Sequence, residues 1–183
     1  MKIKPIIFSG PSVRKILSGE KTQTRRIIRR QNDHRFYSGG LLWVRETWTQ
    51  DGVDTSEGDL VRYRADGEAP EHLNVKWRSS MFMPRKYSRI TLEIVSTRVE
   101  RVQDITEADA KAEGAEQQFR MVIPVGGKPD GCERAYSMPV SYRAGFANLW
   151  NSINLKRGYG WDTNPRVIAI EFKVCECAGG IKP

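Results

Sequence analysis

Apolar residues along this chain switch between two spacings, one typical of strands and one typical of helices. The longest strand signal spans 89–102, where positions 90–94 alternate on one face and positions 95–99 alternate on the other. Such a change of phase predicts a β-bulge near Ile94 and Val95. Shorter apolar runs predict further strands at 2–8, 26–30, 41–48, 60–64 and 166–174.

Helical spacing occurs at three places. Apolar residues at i, i+3 and i+4 predict a short helix over 11–18. The pattern Thr106-x-x-Asp109 is typical of a helix N-terminus and predicts a helix over 104–115. Apolar residues at i, i+3, i+4 and i+7 predict a third helix over 141–153 with one buried face.

The order of these elements determines the fold class that we expect. Strands and helices do not alternate regularly, which argues against a doubly wound parallel sheet. We expect an α+β fold instead, with a small curved sheet or barrel and helices at its ends. At 183 residues, the chain suits a single domain over 1–183. Polar or glycine-rich stretches predict long loops at 49–59 and 117–140.

Composition excludes several classes of protein. The chain is 39% hydrophobic with a mean hydropathy of -0.55, and no window approaches the roughly 18 apolar residues of a membrane span. The N-terminal apolar run is too short for a secretory signal, and three cysteines are too few for a disulfide framework, so a reducing cytoplasm is expected. Cys175-x-Cys177 and two histidines are a poor ligand supply for zinc, so we expect no metal site and no cofactor.

The net charge of +8 is concentrated in the first part of the chain. Residues 1–48 contain 11 basic and 3 acidic side chains and therefore carry the whole excess. Localised positive charge favours a polyanion or a phosphate-bearing ligand. A solvated basic face without any partner explains the same count equally well.

The segment 19–26, Gly-Glu-Lys-Thr-Gln-Thr-Arg-Arg, is the most informative stretch. It follows a predicted helix, so we expect an exposed turn at the end of the sheet, where Lys21 and Thr24 can meet. Arg25 and Arg26 would lower the pKa of the Lys21 amine, since like charges disfavour protonation. A neutral lysine can take a proton from a threonine hydroxyl, which predicts a base and a nucleophile. The alternative is a basic loop that binds anions or nothing.

The same segment resembles the G-x-K-x-x-T-x-R signature of ASCH domains, which have a PUA-like β-barrel fold. The strand over 41–44, the long strand leading into 104–107 and the final strand ending at 170–172 are similar to elements of that family, although Leu41 stands where the family usually has aspartate. The resemblance implies a mixed, mostly antiparallel barrel with peripheral helices. It also implies insertions at about 49–85 and 115–145, and this extended form is similar to uncharacterised phage and prophage proteins.

One branch of the ASCH family hydrolyses the acetyl amide of N4-acetylcytidine, and the resemblance implies three catalytic residues here. Lys21 and Thr24 match the signature, and alignment of the helix that opens with Thr106 and Glu107 places the third at Glu113. In this interpretation Thr24 attacks the acetyl carbonyl, Lys21 is its base, and Glu113 manages protons on the leaving cytosine amine. The alternative for Glu113 is an ordinary exposed carboxylate on a helix.

Other ASCH and PUA-like domains bind RNA, and some are ribonucleases, which implies a second set of candidate residues. Basic side chains would contact phosphates, and aromatic side chains would stack on bases. Internal ion pairing explains the candidates at strand ends as well, and core packing is the alternative for the tryptophans. The candidate ligand-binding residues are Arg25, Arg26, Arg29, Arg30, Arg45, Glu46, Trp48, Tyr63 and Trp77.

Three function classes stay open. The first is an enzyme that hydrolyses an amide of a modified nucleoside. The second is a non-catalytic RNA- or DNA-binding module, or a ribonuclease, of phage or prophage origin. A phage accessory protein that acts on a host protein is a third, for which the sequence has no specific feature. The expected partner is nucleic acid or a modified nucleoside and not a membrane, and the sequence does not indicate an oligomeric state.

Overall fold

The computed structural model describes residues 3–28, 36–51, 60–68, 76–122 and 136–175. The strands in these ranges are β1 (Lys4–Ile7), β2 (Gln23–Ile27), β3 (Leu41–Arg45), β4 (Trp48–Asp51), β5 (Leu60–Tyr63), β6 (Thr91–Arg101), β7 (Gln118–Val122), β8 (Tyr136–Ser141) and β9 (Arg166–Val174). The α-helices are α1 (Gly10–Leu17), α2 (Glu107–Ala112) and α3 (Tyr142–Asn154).

Five strands form the main sheet, in the order β1-β3-β6-β9-β2. The pair β1–β3 is parallel, and the other three neighbouring pairs are antiparallel. Two further antiparallel pairs, β4–β5 and β7–β8, form small two-stranded sheets. This mixed, mostly antiparallel arrangement with few helices confirms the predicted α+β fold class.

The main sheet curls so that the two strands at the ends of its order approach each other. The Arg26 guanidinium on β2 donates a hydrogen bond of 2.6 Å to the carbonyl of Ile7 on β1. The curled sheet encloses apolar side chains that are almost inaccessible to solvent, among them Ile6, Val44, Leu92, Ile94, Ile170 and Phe172. Burial of this apolar surface is the main driving force for the fold.

The predicted β-bulge is confirmed in β6. The register of β6 against β9 shifts between Ile94 and Ser96, which leaves Val95 without a partner position. Ile94 is buried, whereas Val95 and Val99 are 44% and 53% exposed, so the apolar residues of β6 face the core only before the bulge.

Helices α2 and α3 pack together over a second apolar cluster at one end of the sheet. Both begin with the hydroxyl caps typical of helix N-termini: Thr106 accepts from the N–H of Asp109 at 3.1 Å, and Ser141 accepts from the N–H of Ala144 at 2.9 Å. The buried members of this cluster are Val102, Ile105, Ala110, Ala115, Phe146, Trp150 and Val167. The cluster fixes α2 beside the main sheet, and this position carries Glu113 to the site described below.

Several predicted boundaries were wrong. The run predicted as one strand over 41–48 is divided between β3 and β4, and β4 continues to Asp51 inside the predicted loop 49–59. The segment 117–140 is not one long loop, because β7 and β8 pair within it; residues 123–135 lie outside the described ranges. Strand β2 begins at Gln23, inside the segment predicted to be an exposed turn. That the chain forms a single domain with two insertions stays a prediction. Within the described ranges, no helix has the length and apolar character needed to cross a membrane.

Candidate active site

The signature segment is a buried junction rather than an exposed turn. Lys21, Thr24 and Arg25 are each only 5% exposed. The N–H of Lys21 donates to the carbonyl of Lys15 in α1, and the N–H of Thr22 donates to the carbonyl of Ala112 in α2, both at 2.8 Å. Carbonyls in the last turn of a helix have no partner within the helix, so the segment caps two helix ends at once and is covered by them.

Lys21 and Glu113 form a buried ion pair at this junction. The Lys21 Nζ atom donates to the Glu113 carboxylate oxygen Oε2 and to the Glu113 carbonyl oxygen, each at 2.6 Å. Both side chains are at most 5% exposed. Glu113 is therefore not the ordinary exposed carboxylate of the alternative interpretation, and the structure brings it to the residue with which the sequence resemblance grouped it.

The end of α2 explains why both the carboxylate and the carbonyl of Glu113 face the Lys21 amine. The N–H of Gly114 donates to the carbonyl of Lys111 at 2.8 Å, and the N–H of Ala115 donates to that of Ala110 at 3.1 Å. This is the Schellman pattern that ends a helix at a glycine with positive φ. Gly114 has φ +73°, and a Cβ atom there would lie 3.4 Å from the Lys21 Cβ atom. Glycine at position 114 thus allows the chain to reverse direction and leaves room for the Lys21 side chain.

Burial has the largest effect on the Lys21 amine and lowers its pKa below the ordinary lysine value. The Glu113 carboxylate acts in the opposite direction, while Arg26 and Arg25 lower the pKa further. The sequence-based expectation named only the two arginines, whereas desolvation is the larger cause. Lys21 therefore loses its proton more readily than an exposed lysine, a property that a general base near neutral pH needs.

Arg25 is the centre of an ion network on the far side of Glu113. Its three guanidinium nitrogens donate to three different carboxylates: Nε to Glu100 at 2.7 Å, Nη1 to Glu113 at 3.3 Å and Nη2 to Asp109 at 3.2 Å. Its side chain is 0% exposed. Arg98 contacts the outer two carboxylates, Glu100 and Asp109, and lies at the protein surface. Arg25 was predicted to contact a ligand phosphate, and in the structure its guanidinium nitrogens donate to carboxylates of the protein.

A cavity of about 600 Å³ lies next to the Lys21–Glu113 pair. Its polar lining residues are Ser9, Ser12, Lys21, Thr24, Arg25, Arg26, Glu113, Asn154 and Arg157. Its apolar lining residues are Ile7, Phe8, Ile27, Phe36, Phe146, Leu149, Trp150 and Ile153. The volume falls within the range of roughly 300–1,000 Å³ that is usual for small-molecule sites. The three predicted catalytic residues therefore line one cavity.

Arg26 lies on the wall of this cavity against Phe8. Its Cζ atom is 5.0 Å from the centroid of the Phe8 ring, and the Lys21 Nζ atom is 6.0 Å from the same centroid. The Arg26 Nε atom is buried and has no hydrogen-bond partner among the described residues. Burial, opposed by the charge of Glu113, lowers the pKa of the guanidinium. Arg26, which was predicted to bind the ligand, thus has an Nε–H donor beside the cavity that no described residue uses.

Arg45, Glu46, Trp48 and Tyr63 do not line the cavity. The Glu46 carboxylate is held by two hydrogen bonds from Arg89, at 2.9 and 3.0 Å. Burial raises the pKa of Glu46, against the opposing effect of Arg89. This is the internal ion pairing that the sequence left open as an alternative.

The neighbours of Glu46 are likewise engaged within the protein. Trp48 is 2% exposed and its ring lies 4.9 Å from that of Tyr87, so it is not available to stack on a base. The hydroxyl of Tyr63 donates to the carbonyl of Tyr87 at 2.8 Å. Arg45 donates to the carbonyl of Met81 at 3.1 Å and lies 4.7 Å above the Trp43 ring. These four residues were predicted as ligand contacts, and in the structure their partners are other groups of the protein.

Sequence reasoning missed several residues of the site. Gln23 is 8% exposed, and its Oε1 atom is buried without a hydrogen-bond partner among the described residues. Glu100 and Asp109 neutralise Arg25. A buried arginine requires carboxylates, but only the fold shows which ones meet it. Arg29 and Arg30, which were predicted to contact phosphates, lie outside the described ranges.

No family model matches this chain, and no curated protein matches it. Among solved structures, the chain is similar to an ASCH domain from Lactobacillus crispatus, with 13% identity and a TM-score of 0.45 over 94% of this chain and 79% of that one. It is also similar to a protein from Enterococcus faecalis described as a member of the DUF984 family, with 10% identity and a TM-score of 0.45 over 96% and 77% of the two chains. This chain is thus similar to a solved structure of an ASCH domain. ASCH domains are also the family whose signature residues 19–26 of this chain resemble.

Proposed function

We propose that this chain acts in the cytoplasm as an amidohydrolase on an N4-acylated cytidine, with Thr24 as nucleophile, Lys21 as base and Glu113 as the partner of that base. The observation that carries the proposal is the buried contact of 2.6 Å between Lys21 Nζ and the Glu113 carboxylate, on the wall of a cavity that Thr24 also lines. A threonine hydroxyl needs an adjacent base to become a nucleophile.

In the proposed reaction, the Thr24 hydroxyl oxygen attacks the acyl carbonyl carbon and its proton passes to the neutral Lys21 amine. The amide C–N bond then breaks, and the cytosine amino nitrogen takes that proton from the Lys21 ammonium. The acyl group remains as an ester on Thr24. A water molecule hydrolyses this ester, which releases the carboxylic acid and restores the hydroxyl.

Glu113 stabilises the charge that forms during the first step. Burial favours the neutral amine of Lys21 before the reaction. Once Lys21 has taken the proton, its ammonium remains in hydrogen-bond contact with the Glu113 carboxylate and carbonyl. An interaction that strengthens as charge develops lowers the barrier rather than only tightening binding.

The cavity lining suits an acylated base. Aromatic and aliphatic side chains on one side, including Phe8, Phe146 and Trp150, offer apolar contact to the ring and the acyl group. On the other side of the cavity, the Arg26 Nε–H group can donate a hydrogen bond to a carbonyl oxygen or a phosphate. We infer from this lining that the substrate is a modified nucleoside or nucleotide rather than a long duplex.

The test is hydrolysis of N4-acetylcytidine by the purified protein, measured as release of acetate and cytidine. We expect Lys21→Ala and Thr24→Ala each to lower kcat/KM by at least about 100-fold, as loss of a general base or nucleophile does. Lys15→Ala and Thr22→Ala are the matched controls. Lys15 Nζ donates to the Gly114 carbonyl beside the site, and Thr22 is exposed within the same segment; neither lines the cavity.

Both control variants should retain activity close to that of the wild type. An inactive wild-type protein would overturn the proposal. Wild-type activity in Thr24→Ala would overturn the role of the hydroxyl, and equal losses in Thr22→Ala would show that the segment acts only through its structure.

A binding-only module is the second candidate, and the Arg26 donor favours it. A buried N–H group without a partner is costly, and a bound phosphate or base carbonyl would satisfy it. Under this proposal the protein binds oligonucleotides with an affinity that falls as salt rises, and Arg26→Gln weakens that binding. Salt-sensitive binding without hydrolysis of any acylated nucleoside would favour this function over the first.

A further inference from the structure

The Glu113 carboxylate divides its two oxygens between two cations. Oε2 accepts from Lys21 at 2.6 Å, and Oε1 accepts from Arg25 at 3.3 Å. A carboxylate bonded at only one oxygen can turn about its terminal torsion, since that torsion is broad. With both oxygens engaged, the plane of the Glu113 carboxylate is fixed relative to the Lys21 amine.

We infer that Arg25 is a positioning residue for the Lys21–Glu113 pair: its guanidinium holds the Glu113 carboxylate in the orientation that leaves a single oxygen to Lys21, and it does not bind the ligand. The inference deepens the proposed function, on which it rests for the reaction that the pair performs. The contacts of Glu113 with Lys21 and Arg25 are present whichever substrate the cavity binds.

The surroundings of Arg25 support this assignment. Its other two nitrogens are taken by Glu100 of β6 and Asp109 of α2, so the guanidinium is held from three directions by a strand and a helix. Arg98 in turn contacts both of these carboxylates from outside. A planar guanidinium can satisfy several carboxylates at fixed angles, whereas a lysine ammonium is a flexible point charge. Each Arg25 nitrogen donates to a carboxylate of the protein.

Electrostatics predicts the direction in which Lys21 responds to loss of Arg25. The positive charge of Arg25 disfavours the ammonium form of Lys21. Removing that charge, and releasing the second oxygen of Glu113 toward Lys21, both favour the ammonium. Arg25→Gln should therefore raise the pKa of the Lys21 amine.

The experiment is an NMR titration of lysine side chains labelled at the ε-carbon, with the Lys21 signal assigned by its absence from Lys21→Met. It requires no substrate, so it separates failure of this inference from failure of the proposed function. We expect a raised Lys21 pKa in Arg25→Gln and a smaller rise in Arg25→Lys, which keeps the charge but loses the three-way contact. An unchanged Lys21 pKa in folded Arg25→Gln overturns the inference.

Arg89→Gln is the matched control. Arg89 makes a comparable set of hydrogen bonds, two to Glu46 and one to Asp66, and it does not line the cavity. The Lys21 pKa should be unchanged in this variant even if its stability falls. If Arg25→Gln does not fold, Arg25→Lys decides alone: a Lys21 pKa equal to that of the wild type would contradict the positioning role.

Hydrolysis adds a second readout where the wild type is active. The acidic limb of the kcat/KM profile should move to higher pH in Arg25→Gln, with activity partly recovered at alkaline pH, because the neutral amine is the reactive form. A purely structural role would lower kcat/KM by the same factor at every pH. That uniform loss, without a displaced profile, would overturn the inference.

Discussion

The Lys21 Nζ atom lies 2.6 Å from two oxygen atoms of a single residue, the carboxylate Oε2 and the carbonyl of Glu113. One oxygen belongs to a carboxylate, and the other belongs to the fixed dipole of a backbone carbonyl. Since the two partners lie 92 positions apart in the sequence, the packing of α2 against the signature segment creates this contact.

The Lys21–Glu113 pair should be strongly coupled energetically. A double-mutant cycle with Lys21→Met and Glu113→Gln should give an interaction free energy of about 0.5–3 kcal/mol, the range for side chains that share a hydrogen-bonded network. Urea denaturation of the four proteins measures it. Additive effects of the two substitutions would contradict the contact.

Protein stability should rise with pH through the titration of Lys21. The folded-state pKa of this amine lies below its ordinary value of 10.5, so between the two values the unfolded chain binds more protons than the folded chain. The free energy of unfolding therefore increases with pH across that window. Denaturation from about pH 7 to about pH 9.5, below the range of ordinary tyrosine titration, should show a steeper rise for the wild type than for Lys21→Met. Parallel curves for the two proteins would rule out a lowered Lys21 pKa.

Gly114 and Gly158 offer a matched test of the chain reversal after α2. Both have positive φ, +73° and +79°, so alanine at either position is strained by roughly 1–2 kcal/mol. A Cβ atom at 114 would also lie 2.9 Å from the Lys15 Cδ atom and 3.4 Å from the Lys21 Cβ atom, whereas nothing lies within 4 Å at 158. Gly114→Ala should therefore lower Tm further than Gly158→Ala and should alone impair hydrolysis. Equal effects of the two on both measurements would show that Gly114 matters only for its backbone angle.

Close packing of α3 makes Gly145 intolerant of a side chain. A Cβ atom there would lie 1.8 Å from the Glu116 carbonyl oxygen, so Gly145→Ala forces the helix away from that segment. We expect a loss of about 1–3 kcal/mol, despite the higher helix propensity of alanine. Gly10→Ala is the control, because its Cβ atom would meet nothing closer than 3.7 Å. Thermal unfolding compares the two, and a Tm for Gly145→Ala at or above that of the wild type would contradict the packing.

A substitution at Trp48 distinguishes a packing role of this side chain from a base-stacking role. Because its ring is buried against Tyr87, Trp48→Ala should cost about 3–5 kcal/mol of stability. Affinity of the folded variant for oligonucleotides should equal that of the wild type. Filter or fluorescence binding measures it at a temperature below unfolding. A selective loss of affinity without a loss of stability would restore Trp48 as a ligand contact.

Local patterns predicted much of the fold because their causes are local. Alternation of apolar positions placed the bulge of β6 at Ile94 and Val95, and the hydroxyl of Thr106 marked the start of α2. The burial of the signature segment could not be predicted in this way. Its residues are polar, and they are buried because two helix ends meet over them.

Lys21 and Thr24 were identified from the sequence because the spacing of the signature is itself local. Arg25 shows what the sequence could not indicate. Adjacent basic residues suggested a phosphate contact, yet the three carboxylates that bind Arg25 come from positions 75, 84 and 88 residues away. The excess charge of residues 1–48 is therefore partly neutralised by acidic residues from β6 and α2. The sequence by itself determined the elements and the reactive residue types; only the tertiary structure decided which charges meet, because ion pairing acts through space across distances that the chain order does not encode.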